Sequence, residues 1–141
     1  MTIVLGDAVG AVPDGADAVS RRLIAAIHAY VDFLVERPAA SIVGITEFRY
    51  LVGRDRSRVL EQRDRTEDVF RALVREGASA GEFSVADVGA ATRALTTLCN
   101  GMSTWYRYDG PLGAPELAGL QADLALGLVR SRYRVVGPAG A

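Results

Sequence analysis

Lysine is missing from this chain: all 16 of its basic residues are arginine, and 17 Asp and Glu bring the formal net charge to −1. The arginines are spread over every segment, so the basic surplus that a free-standing nucleic-acid binder gathers on one face is not there. Cys99 is the only cysteine and His28 the only histidine. One thiol excludes an internal disulfide. One thiol and one imidazole with no ligand spacing make no metal site, and no cofactor is expected. No apolar run reaches the roughly 18 residues of a membrane span. The opening MTIVLGDAVGAV has neither a basic leader nor a cleavage signal. The expectation is a cytoplasmic protein with no membrane partner.

What is present is apolar surface at helical spacing. Half of the 141 residues are hydrophobic, enough for one domain with a core of its own. Residues 1–15 read as a short or partial helix closed by Pro13-Asp14-Gly15, and Asp17 is placed to cap the helix after it. That helix, over 18–37, carries Val19, Leu23, Ile27, Tyr30 and Leu34 on one stripe, with Ile24, Val31 and Val35 beside it, so it is buried on more than one side. Pro38 ends it and opens a second helix over 38–51, with Ile42, Ile45 and Phe48 on a narrow apolar edge.

A charged helix over 55–80 comes next, stopped by Gly81. Gln62 or Arg63, and Thr66, fall at the middle of its inner stripe, where a plain core would put leucine. Ser84 with Asp87 reads as a capping box for the next helix, drawn to about Tyr106. Along it, Val88, Ala91, Leu95, Leu98, Met102 and Trp105 make one stripe; Ala90, Ala94, Thr97, Gly101 and Thr104 make a second of small residues, across which another helix can come close. The last helix starts at Pro115 and is apolar twice over, through Leu117, Leu120, Leu124 and Leu128 and through Ala118, Ala122, Ala125 and Val129. A chain this small has a core use for one such face, and the other wants a partner chain. No strand alternation is visible, so the fold class is all-α, a bundle of about five helices over 16–130 with a frayed tail at 131–141.

No catalytic constellation emerges. Cys99, His28 and Asn100 supply the residue types of a cysteine-protease site, but neighbouring helix positions point about 100 degrees apart, so Cys99 and Asn100 cannot flank one imidazole. The chain is not expected to be an enzyme. Asn100 could instead set the register of a subunit contact, or be solvated.

The helix order, with AYVDFLVERP in the first long helix, VREGASAGEF closing the charged one, and the run WYRYDGPLGAPELAGL, resembles the carboxy-terminal regulatory domain of TetR-family transcriptional regulators, in the branch that senses fatty-acyl or steroid-derived ligands. The resemblance implies that the last two helices pair with their copies in a homodimer, as a four-helix interface. Ala94, Thr97, Gly101, Trp105, Leu117, Leu120, Leu124 and Leu128 would line it.

It also implies a largely apolar pocket enclosed by the helix over 18–37, the second over 38–51, the charged one and the one drawn to Tyr106, where a small acyl-, steroid- or aromatic-type ligand biases the orientation of the subunits. His28, Gln62 and Thr66 are the polar candidates there, and Phe48, Phe70, Leu98 and Met102 the wall; the alternative for each is ordinary core packing. The RDRSR segment, Arg54 to Arg58, either meets the phosphates of a coenzyme A ester or is a solvated helix start. The family's helix-turn-helix has no register here, because Pro13 interrupts its first helix and Arg21 falls where an apolar residue is needed. DNA binding is therefore not expected of this chain alone, which reads as a regulatory half or a shortened form of a longer protein. Two other functional readings stay open: a stand-alone helical carrier or sink for an apolar metabolite, and a partner forming mixed dimers with a longer relative.

Overall fold

The helix over Ala18–Glu36 is the one around which the others pack, for the reason its double apolar stripe suggests. Leu23, Ala26, Ile27 and Val31 along it are fully buried, and Val19, Tyr30 and Leu34 nearly so. In the computed structural model, which describes residues 1–37 and 52–133, the elements are α1 (Thr2–Gly10), α2 (Ala18–Glu36), α3 (Gly53–Ser79), α4 (Val88–Gly101), a 3-10 turn (Met102–Thr104) and α5 (Ala114–Leu128). No strand occurs among the described residues. Helix α2 packs against α1, α3 and α5, and α3 lies along α4. The second helix expected from sequence, 38–51, lies outside the described residues, and Phe48 with it.

The entry to α2 is not held as expected. Asp17 stands at its N-cap but adopts the left-handed conformation (φ 57°), and its side chain makes no cap bond. The role passes to Glu82, far along the chain, whose carboxylate accepts from the Ser20 amide and from the Ser20 hydroxyl, both at 3.0 Å. Amide groups in a first helical turn have no partner inside the helix, and an anion at that end also meets the positive pole of the helix dipole. Ser20 Oγ lies 2.8 Å from Ser131 Oγ.

Position 131, expected to begin a frayed tail, is thus a buried fastening. The Ser131 amide donates to the Leu126 carbonyl at 2.9 Å, and Arg132 reaches the Gly81 carbonyl at 3.2 Å.

The start of α4 is shifted as well. Asp87, not Ser84, is the cap, with its carboxylate accepting from the Ala90 amide at 2.7 Å. The Ser84 amide donates to the Val129 carbonyl at 2.9 Å, which ties the loop to the end of α5. Helix α4 stops at Gly101 and tightens into the 3-10 turn, so Trp105 lies beyond the helix it was expected to end.

Helix α5 turns its small face inward. Ala118, Ala122 and Ala125 let it approach α2 closely, and Leu117 and Leu126 complete the contact. Gln121, only 1% exposed, donates from Nε2 to the Leu98 carbonyl at 3.1 Å and so joins α5 to α4.

Candidate functional site

Three helix stripes converge on a cavity of about 670 Å³. From α2 come Tyr30, Phe33 and Leu34, with Arg37 just past its end, at the three- and four-residue spacing that keeps side chains on one side of a helix. From α3 come Arg58, Val59, Gln62, Arg63, Thr66 and Glu67, and from α4 Arg93, Thr96, Thr97 and Asn100; Met1 closes one edge. Tyr30, Leu34 and Thr66 are buried and form the floor, while the arginines are exposed and stand around the rim.

Of the residues expected to bind a ligand, the structure brings Gln62 and Thr66 to the cavity and places four others elsewhere. His28 is half-buried and sits two positions from Tyr30, a rotation of roughly 200 degrees about the helix axis, so it belongs to another side of α2. Phe70 is fully buried one turn below Thr66, its ring centroid 5.8 Å from that of Tyr30. It supports the floor without lining it. Met102 is core, and Leu98 packs against the core at half burial.

Among the lining residues that were not foreseen are Phe33, Arg93, Tyr30 and Asn100, and the last two are bonded to each other. The Tyr30 hydroxyl donates to Asn100 Oδ1, so α2 and α4 are bonded to each other at the cavity wall. Burial pushes the Tyr30 phenol well above its ordinary value, with the neighbouring Cys99 adding to the rise; the Asn100 bond and Arg63 oppose it. Cys99 itself is fully buried, and burial pushes its thiol up to about 12. At neutral pH it is a protonated thiol within the core. The signal for Tyr30 was available, since Tyr30, Leu34 and Arg37 share a stripe; an aromatic amid core leucines reads as packing.

The rim is basic. Arg37 covers the Phe33 ring with its guanidinium 4.6 Å from the centroid. Glu67 is the one carboxylate side chain among the described lining residues, and Arg71, outside the lining, is paired with it across one turn of α3.

Of the residues expected at a subunit contact, Ala94, Thr97, Trp105, Leu120 and Leu124 are exposed, Gly101 and Leu128 are half-buried, and Leu117 is fully buried inside the subunit. Leu120 and Leu124 keep 53% and 54% of their surface open. Trp105 lies at a shallow groove with Tyr106, whose hydroxyl donates to the Leu112 carbonyl at 3.1 Å and so pins the turn into α5.

The sequence matches the family described as tetracyclin repressor-like, C-terminal domain, over residues 16–129. Among solved structures it is similar to a bacterial regulatory protein of the tetR family from Rhodococcus RHA1, with 28% identity and a TM-score of 0.75 over 91% of this chain and 67% of that one. It is similar to the same degree to the TetR-family transcriptional regulator PfmR from Thermus thermophilus, with 28% identity and a TM-score of 0.74 over 94% of this chain and 71% of that one. AibR, solved in complex with isovaleryl coenzyme A and operator DNA, shares the fold at 16% identity, with a TM-score of 0.65 over 87% of this chain and 71% of that one. A search of curated protein sequences returns no significant match. The chain belongs to the tetracyclin repressor-like C-terminal domain family, the ligand-binding half of TetR-type regulators.

Proposed function

We propose that this chain is the effector-binding and dimerisation part of a TetR-like regulator. A small, largely apolar molecule enters the cavity between α2, α3 and α4 and favours one arrangement of two subunits over another. The observation that carries this reading is the division of α4 into three sectors. Ala91, Leu95 and Cys99 face the core, Arg93, Thr96 and Asn100 face the cavity, and exposed Ala90 and Ala94 with half-buried Gly101 form a strip of small residues. Thr97 belongs to both the cavity and the strip. A guest that displaces α4 therefore moves the surface on which a second subunit would sit, which is what a ligand-biased equilibrium needs.

Leu120 and Leu124 extend the same reading to α5. They are the largest exposed apolar side chains on that helix, and removing them from water in a dimer returns about 25 cal/mol for each Å² covered. The cavity volume falls in the range of small-molecule sites, and its lining joins an apolar sector of Tyr30, Phe33, Leu34 and Val59 to a larger set of polar and charged side chains. AibR, alike in fold, was captured with an acyl thioester, which makes that class the first to try.

Native mass spectrometry of the purified 141-residue chain tests the reading. A two-chain species that retains a small molecule is the expected result. A single chain at micromolar concentration, indifferent to every acyl, steroid or aromatic compound offered, would contradict it.

A further inference from the structure

We infer that the occupant of the cavity is an anion with an apolar body, its charged head held between Arg58 of α3 and Arg93 of α4. This rests on the ligand-cavity reading above and names the class of molecule that fits.

The chain as a whole carries a net charge of −1, yet among the described residues four arginines and a single carboxylate line this one cavity. That carboxylate, Glu67, is already engaged by Arg71, so it does not offset the arginines facing the cavity. Arg37 and Arg63 add positive charge but have partners of their own. Arg58 and Arg93 differ from them: neither side chain makes a hydrogen bond or ion pair with any described residue, and they reach the rim from two different helices.

A cleft lined by one sign of charge over apolar walls concentrates counter-ions. A guanidinium also presents paired donors in a plane that matches a carboxylate or phosphate. A neutral guest of the same shape would cover these groups without replacing their hydration, and a cationic guest would be repelled. The buried floor of Tyr30, Leu34 and Thr66 is left for the apolar body.

Calorimetric titration of the whole chain with octanoate, octyl phosphate, octanoyl coenzyme A, octan-1-ol and octyltrimethylammonium tests the assignment, with Arg58→Gln and Arg93→Gln titrated alongside. At least one of the three anions should bind about tenfold or more tightly than both the alcohol and the cation. Each variant should lose about tenfold for that anion while leaving the alcohol unchanged. Raising NaCl from about 50 to about 500 mM should weaken the anion alone. The ranking among the three anions then identifies the head group. An alcohol bound as tightly as every anion, or an anion indifferent to both variants, would overturn the charge assignment and leave the cavity reading standing. Failure of all five compounds to bind would count against both.

Discussion

Gly77 shows how much a single missing side chain can matter. A Cβ at this position would fall far inside van der Waals contact with the ring of Phe83, which is 4% exposed and held by core on its other side. The Phe83 amide donates to the Gly77 carbonyl at 3.0 Å, so the ring and the helix end are locked together. Gly77→Ala should therefore cost about 1 to 3 kcal/mol or more, read from urea denaturation. Gly6 in α1, with open space where a Cβ would go, is the control: Gly6→Ala should gain about 0.5 to 1 kcal/mol.

Cys99 makes a second residue-scale prediction, in pH. Its thiol is raised to about 12 when folded against an ordinary 9.0, so the native state favours the protonated form. The associated stability is complete below about pH 9 and is lost as pH rises toward 12. Tyr30 acts in the same direction. Denaturation midpoints should fall over that window in the wild type and fall less in Cys99→Ala, and the wild-type thiol should react with a thiol reagent at neutral pH only as fast as the chain unfolds.

At the scale of elements, the segment from the end of α3 to the start of α4 does more than connect two helices. Glu82 in this segment caps the start of α2, Ser84 bonds the end of α5, and Gly81 accepts from Arg132. Glu82→Ala should cost about 1 to 3 kcal/mol because it leaves a buried serine and the first turn of α2 short of an acceptor. Asp17→Asn, which keeps a residue type that tolerates the left-handed backbone, should change stability by less than about 0.5 kcal/mol, since the side chain caps nothing. Reversed magnitudes in urea melts would mean that the cap is local after all.

The contrast also marks what could be read from the residues alone. Four of the described helices were legible because apolar spacing at three and four residues is a local property of the chain. The polar stripe of α3 pointed to Gln62 and Thr66 for the same reason. Glu82 over Ser20, Ser131 over Ser20 and Tyr30 with Asn100 join residues 62, 111 and 70 positions apart. No periodicity carries such pairings. His28 was misplaced because a lone polar residue on an apolar helix gives no sign of which side will face a cavity, and Asp17 because a capping residue type does not guarantee a capping conformation.

For the whole molecule, the described helices leave two things over: a cavity with a basic rim on one side, and exposed small and leucine surface on α4 and α5. No helix among the described residues is long and apolar enough to cross a membrane, so that surface is not the flank of a spanning helix. In the proposed dimer a second copy of the chain would cover it, with α4 as the element both features share. Sedimentation equilibrium of the wild type beside Leu120→Glu/Leu124→Glu and Ala94→Glu tests this most directly. The account predicts a dimer for the wild type at micromolar concentration and a dissociation constant at least about a hundredfold weaker in the variants, with their far-ultraviolet spectra unchanged. A monomeric wild type, or variants that dimerise as well as it does, would contradict it.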